Sequence, residues 1–285
     1  MGNTSFSIVT PNRNRLASLQ KVMPSWQRCE QVSEIIVVDF GGEPAITPQH
    51  FESPHKISLV RVLNADCWRI GLAINLGVDQ CRNDTICKLD SDIEIRAGAE
   101  LGALSTAEAF YRGRAGTAVS NGQVLFNKAH WQRVGGYNEW LSGYGYDDSD
   151  YYSRLRRSGV AERDLSATSL SEHLHGNEVR AATDLRSEFF NIPLSQADAR
   201  LLYMLSRNTY LGMLRPWSAE LRLRYRSRPL EAGTVAIELE KLPDDYRWAD
   251  GMANMLAVVR ASGTQSNVNL LNGLVARYLA ETGGL

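Results

Sequence analysis

Two acidic stretches in this 285-residue chain have the residue types and spacing for chemistry. In CKLDSDIEI (87–95), a strand-like run through Ile86, Cys87 and Leu89 ends in Asp90 and Asp92, one residue apart. The run must reach a polar edge there, because aspartate is poor strand material. Two carboxylates this close repel each other and lose solvation unless they share a cation or meet it through a bridging ligand. A hard divalent ion such as Mg²⁺ or Mn²⁺ takes oxygen ligands and keeps positions open for substrate phosphates, so the pair suits a metal–diphosphate site. Asp90-Ser91-Asp92 by itself reads better as a polar turn or a helix cap; the surroundings have to decide.

The second stretch is GYGYDDSD (143–150), where Asp147, Asp148 and Asp150 follow a glycine-aromatic loop. Tyr151 to Arg157 continues as a helix with an acidic first turn and a basic last turn, matching the helix dipole. On that basis the acids cap a helix and the aromatics pack a loop. The flat faces of Trp140, Tyr144 and Tyr146 also suit sugar rings, and a carboxylate beside them suits a general base, which together describe a carbohydrate acceptor site.

The elements that must position these groups alternate in βαβ fashion over the first half of the chain. Strands are expected at 5–10, 34–40, 57–63 and 85–90, with helices from Arg15 to Trp26, where Pro24 cuts into the end, and from Ile70 to Cys81. Parallel strands present their carboxyl ends on one side, so Asp39, closing the second strand, should converge with Asp90 and Asp92 on one crevice and there accept hydrogen bonds from a ribose or base. No GxGxxG follows the first strand and no GxxxxGK[ST] occurs, which excludes a Rossmann dinucleotide site and a P-loop. Beyond about residue 185 the pattern turns helical, around Leu201–Leu205, Ile237–Leu242, Met252–Val259 and Leu270–Leu279.

Composition excludes several classes. Apolar content of 44%, charged content of 22% and a formal net charge of -1 describe a globular chain with no global pull toward nucleic acid. The four cysteines form no CxxC pair, so neither a zinc knuckle nor a disulfide framework is indicated. With no bilayer-length apolar run and no leader-like start, a soluble cytoplasmic protein is expected. The one strong basic run, 215–228, alternates Arg222, Arg224, Arg226 and Arg228; it suits an anionic membrane surface or an acidic glycan, and more commonly a solvated face or a contact between copies in a homo-oligomer.

Taken in order, SIVTPNRNR, EIIVVDF, NLGVDQCRNDTICKLDSDIEI and VGGYNEWLSGYGYDDSDYYSRL make the chain resemble the inverting, family-2-like glycosyltransferases of the GT-A fold, over about two thirds of its length. The last of these segments is also similar to the acceptor motif of the β-1,4-galactosyltransferases and polypeptide N-acetylgalactosaminyltransferases. The resemblance implies an α/β GT-A domain at 1–185, a mixed sheet flanked by helices, with a helical appendage at 186–285. It implies a UDP-sugar donor, a glycan or lipid-linked glycan acceptor, and Mn²⁺ or Mg²⁺. Asp39 would hold the uracil or ribose; Thr10, Pro11 and Arg13 would frame the nucleotide; and Asp90, Ser91 and Asp92 would form the DxD motif, with Asp92 on the metal and Asp90 toward the ribose or a metal-bound water. Asp148 takes the place of the catalytic base and Asp147 the acidic place before it, beside an acceptor surface of Trp140, Tyr144 and Tyr146. His173, with His175 close behind, would complete the metal shell and tilt it toward Mn²⁺. Tyr144 stands where tryptophan is usual, and Phe40 and Gly41-Gly42-Glu43 replace the Asp-Gly-Ser of the common VVDDGS sequence.

Three rivals predict other patterns. A sugar-1-phosphate nucleotidylyltransferase would carry a glycine-rich basic loop where this chain has PNRNR. A haloacid-dehalogenase-like phosphatase would end its first strand, not its fourth, in DxD. A non-catalytic carbohydrate-binding scaffold would keep the fold without turnover.

Overall fold

The computed structural model describes residues 5–113, 122–165, 169–172, 196–231 and 233–262, with the isolated positions 269 and 273. Its centre is a nine-stranded mixed sheet. In chain order the strands are β1 (Phe6–Asn12), β2 (Val32–Phe40), β3 (Ile57–Val62), β4 (Thr85–Lys88), β5 (Ile93–Ile95), β6 (Ala109–Arg112), β7 (Val124–Asn127), β8 (Ala161–Asp164), β9 (Leu170–Glu172), β10 (Tyr225–Glu231) and β11 (Thr234–Leu239). The large sheet runs β10-β11-β3-β2-β1-β4-β7-β6-β8, and β5 pairs with β9 apart from it. From β11 to β4 the neighbours are parallel; β7 then runs antiparallel to both β4 and β6.

Period-two patterning divides the core into two layers. Ile8, Ile35 and Val37 pack with Leu19, Val22, Met23 and Trp26 of α1 (Leu16–Arg28), whereas Val9, Ile36 and Val38 pack with Leu72, Ala73 and Leu76 of α2 (Ile70–Gln80). Central strands covered on both faces read as continuous apolar runs, which is why EIIVVDF is so plain in the sequence. Several boundaries differ from expectation: β2 begins at Val32 and β4 stops at Lys88, short of Asp90, and two further differences have a visible cause. Helix α1 continues through Pro24 to Arg28, tied down by buried Trp26, whose Nε1 donates to the Ile93 carbonyl at 2.8 Å. Strand β1 extends through Pro11 to Asn12, because Asn12 still pairs with Asp39. Among the described residues the remaining α-helices are α3 (Lys128–Arg133), α4 (Asp147–Arg157), α5 (Ala197–Leu214) and α6 (Asp244–Ser262).

The expectation that strands stop near residue 185 is corrected. Residues 225–231 and 234–239 are strands, and β11 lies parallel to β3 with Ile237 opposite Val62. Ile237 and Leu239, read as a helix face, belong to a sheet whose partner lies about 175 residues earlier, so no local periodicity could reveal it. Strand β10 forms the rim, with exposed Arg224, Arg226 and Arg228 around it and Pro229 within it, features that discourage pairing with other chains. The basic run is also partly engaged by acids of the same chain, two of the pairs at the surface. Arg215 pairs with Asp245 at 3.2 Å, Arg226 lies 3.8 Å from Glu240, and Arg222 enters a buried network. Among the described residues no helix is long and apolar enough to cross a membrane.

In that network Glu139, fully buried, accepts from Asn75 Nδ2 at 2.8 Å, Arg222 Nε at 3.1 Å and the Leu223 N–H at 2.6 Å. Arg222 also reaches Asp79 at 2.7 Å and lies over the Trp131 ring. Burial pushes the Glu139 carboxyl up, with Arg222 opposing it. Arg222→Ala should therefore lower the unfolding free energy by about 2 kcal/mol, the scale of a hydrogen bond to a charged group, since Glu139 keeps its other two donors. Urea denaturation of the variant against the native chain measures it.

Candidate active site

The register of the parallel strands brings the acidic groups to one edge. Asn12 pairs with Asp39, and Val9 with Lys88, so β1, β2 and β4 all leave the sheet on the side where Asp39 and Asp90 lie. Asp39 is buried and accepts from the Gly42 and Ile46 N–H groups, each at 3.0 Å. Burial raises its carboxyl despite these bonds. Gly42 must lack a side chain here, since a Cβ would stand 2.6 Å from Asp39 Oδ1. A cavity of about 320 Å³ opens beside it, lined by Asn12, Asn14, Leu16, Gln20, Asp39 and Pro44. At the end of β1, Thr10 Oγ1 and Arg13 Nη1 are buried and have no hydrogen-bond partner among the described residues.

Asp90 is held by groups of the chain itself. Lys88 Nζ lies 2.8 Å from Asp90 Oδ1, and Gln123 Nε2 donates to Oδ2 at 2.8 Å while its Oε1 accepts the Asp90 N–H. Burial alone would raise Asp90, but Lys88 and Gln123 hold it below the usual carboxylate range. Lys88 is itself buried; its desolvation is outweighed by Asp90, Asp148 and Asp147, which keep it charged. Ser91 and Asp92 are buried, and Arg15 Nη1 lies 3.6 Å from Asp92 Oδ2. Burial, and then the charge of Asp90, raise Asp92.

The second acidic stretch meets the first at Gly122. A Cβ built on Gly122, whose φ is +112, would lie 3.2 Å from Asp148 Oδ2, 3.5 Å from Asp90 Oδ2 and 3.5 Å from Lys88 Nζ, and Lys88 donates to its carbonyl at 2.7 Å. Asp148 thus faces the Asp90–Lys88 pair across a glycine cradle that any side chain would fill. Its Oδ1 is buried with no hydrogen-bond partner among the described residues. Burial raises Asp148, Asp90 adds to the rise and Lys88 opposes it; Asp147, buried beside it, is raised by burial and by Asp148. A raised carboxyl with one oxygen left without a hydrogen-bond partner among the described residues, and with Tyr152 opposing the rise, is suited to taking a proton.

The other expected residues divide. Asp150 is structural: Arg154 binds it at 2.7 Å and carries on to the carbonyls of Val134 and Gly136. Trp140 is corrected as an acceptor platform, because it is buried edge-on against Tyr246 with Nε1 donating to the Leu221 carbonyl. Tyr144 and Tyr146 are half-buried; Tyr144 packs against the cluster formed by Leu201, Tyr203, Met204 and Ala257, and the Tyr146 ring lies against Gly212. His173 and His175 lie outside the described residues.

Among the described residues no group of three or more His, Cys, Asp or Glu side chains is arranged to hold a metal ion. The two positions of the Asp-x-Asp differ in what they offer. Asp90 has both oxygens engaged by Lys88 and Gln123, whereas Asp92 presents a raised carboxylate repelled by its neighbour, a hard oxygen donor whose environment fits a divalent cation. The partners Lys88, Gln123, Arg15 and Gly122 were not picked out from the sequence. Lys88 carried a signal, a lysine between Cys87 and Leu89 in a strand otherwise buried; the others are brought in from α1 and the start of β7 without one.

Residues 103–176, which include Asp147 and Asp148, match the model of the N-terminal domain of galactosyltransferase. No curated protein is significantly similar to the chain in sequence. In structure it is similar to the catalytic domain of Drosophila β1,4-galactosyltransferase 7 in complex with xylobiose, with a TM-score of 0.53 and 13% identity over 86% of this chain and 98% of that one. A mutant of the same Drosophila enzyme, in complex with manganese, UDP-Gal and xylobiose, aligns equally well, with a TM-score of 0.53 and 13% identity over 87% of this chain and 99% of that one. The mannosyltransferase PcManGT of Pyrobaculum calidifontis, in complex with GDP-Man and Mn²⁺, gives a TM-score of 0.55 and 14% identity over 98% of this chain and 81% of that one. By its sheet and by these likenesses, the chain adopts the GT-A glycosyltransferase fold.

Proposed function

We propose that this chain transfers a sugar, with inversion, from a nucleoside-diphosphate donor to a hydroxyl of a glycan or lipid-linked glycan acceptor. The observation that carries the reading is the meeting of Asp90, Lys88 and Asp148 around Gly122, on the sheet edge that also carries the cavity at Asp39. The nucleotide takes that cavity, with Thr10, Pro11 and Arg13 framing it; the unpartnered Thr10 and Arg13 groups are donors suited to phosphate or ribose oxygens. Asp92, with His173 or His175 as a further ligand, would hold Mn²⁺ or Mg²⁺, which would supply positive charge to offset that of the departing diphosphate. Asp90, steadied by Lys88 and Gln123, faces the ribose. Asp148 Oδ1 accepts the proton of the acceptor hydroxyl, and the adjacent Asp147 orients that hydroxyl. Tyr144 and Tyr146, half-exposed, border the acceptor.

UDP is the expected donor nucleotide. The similar structures are of complexes with UDP-Gal in one case and GDP-Man in another, so both belong in the test. In a thermal-shift screen of nucleotide sugars with and without Mn²⁺, one donor class should raise the melting temperature, more strongly with the metal, since a ligand that binds only the native state stabilises it by mass action. Absence of any shift and of any release of nucleoside diphosphate would favour a non-catalytic scaffold. Nucleotide-sugar formation from a nucleoside triphosphate and a sugar phosphate would favour the nucleotidylyltransferase.

A further inference from the structure

Helix α5 grips the loop that launches α4. Asn208, buried on α5, donates from Nδ2 to the carbonyls of Ser142 at 3.1 Å, Tyr144 at 3.2 Å and Gly145 at 2.8 Å, and its Oδ1 accepts the Ser142 N–H at 3.4 Å. Arg207 beside it donates to the Ser142 carbonyl at 2.5 Å and to the Ser142 hydroxyl. The two N–H groups of a single side-chain amide thus reach three main-chain carbonyls, one hydrogen being shared, in a segment that has no ladder of its own to satisfy them. One helical turn on, Gly212 provides the space for Tyr146: a Cβ there would stand 2.7 Å from Tyr146 Cε1.

The loop needs such a grip. Tyr146 has φ +73 and ψ -22, a left-handed conformation that a non-glycine residue holds only when its surroundings over-determine it. Gly145 before it has φ +89 and packs against Leu205 of the same helix. Asp147 and Asp148 follow at once, and the Tyr146 carbonyl accepts the Asp150 N–H at 2.8 Å. The direction in which α4 starts, and with it the aim of Asp148 at Gly122 and Asp90, is therefore fixed from α5, an element outside both acidic stretches.

We propose that Asn208 and Gly212 are positioning residues for proton transfer at Asp148, an inference that rests on the glycosyl-transfer reading above. Neither touches the donor cavity, so their loss should weaken catalysis without weakening donor binding. Two variants test this: Asn208→Ala, which releases the loop carbonyls, and Gly212→Ala, which improves the helix but pushes on Tyr146 and so remains informative if the first fails to fold. In each, kcat should fall about 10–100-fold, the cost of a small misplacement of a reacting group, with the donor dissociation constant by calorimetry unchanged. Amide exchange over 143–150 should accelerate at least about tenfold while exchange in β1 and β2 keeps its native rate. Native exchange across 143–150 in the folded variants, or kcat falling only in step with donor affinity, overturns the proposal. A native chain that binds a nucleotide sugar but transfers it to no hydroxyl overturns the glycosyl-transfer reading and the catalytic half of this inference, and the exchange arm then decides separately whether α5 holds the loop.

Discussion

Asp148→Asn should lose about 10²–10⁴-fold in kcat and keep its donor affinity, the range that a positioned general base contributes. The argument is geometric first. Asp148 faces Asp90 across Gly122, and its Oδ1 is buried without a partner among the described residues, so it offers a lone pair to an incoming hydroxyl. An amide keeps the size and loses the basicity, and the donor cavity at Asp39 lies at the ends of β1 and β2, away from the change. The pH profile supplies a second check. Burial raises Asp148, and a base works only when deprotonated, so native activity should fall with decreasing pH at a point above the ordinary carboxylate value of about 4. The residual activity of the asparagine variant should lack that acid limb. Calorimetric loss of donor binding in parallel with turnover would remove Asp148 from the role of base.

Lys88→Met should lower the unfolding free energy by about 3 kcal/mol. The ammonium is buried between Asp90, at 2.8 Å, and the Gly122 carbonyl, at 2.7 Å, and it opposes the rise of both Asp147 and Asp148. Removing one partner of a buried ion pair leaves the other charge uncompensated, and that penalty exceeds what the pair itself contributed. The figure belongs at the low end of the range because Asp90 is about a third exposed and keeps Gln123. Lys88→Met combined with Asp90→Asn should regain part of the loss, since Asp90 is then no longer a stranded carboxylate, and only part, because Asp147 and Asp148 still lack the Lys88 charge. Chemical denaturation of the three proteins decides it, and equal stability of the single variant and the native chain would mean that solvent already screens Asp90.

The sequence made the centre of the fold plain and its rim obscure, for one reason. EIIVVDF and TICKLD are strands covered on both faces, so their apolar runs are dense and local. Strand β11 is held by pairing to β3 across a gap of about 175 residues and β10 by pairing to β11, and their mixed polar text carries no such density. The site divides the same way. Asp90, Asp92, Asp147 and Asp148 were visible because acids cluster at element ends, but what surrounds them was not. The lysine that holds Asp90, the glycine across which Asp148 faces it and the asparagine behind the loop are ordinary residues until the fold brings them together. Trp140 shows the converse: an aromatic beside acids looked like a sugar platform and is instead core, its indole nitrogen satisfied by the Leu221 carbonyl.

The insertion of β11 beside β3 also dictates the timetable of biosynthesis. While the ribosome is still translating the helices that precede residue 225, β3 is a naked rim with its amides and carbonyls open to any passing strand. The edge of β3 on that side stays open until residues 234–239 are made and β11 covers it. Truncation ahead of that strand should leave that edge open and yield a fragment prone to association.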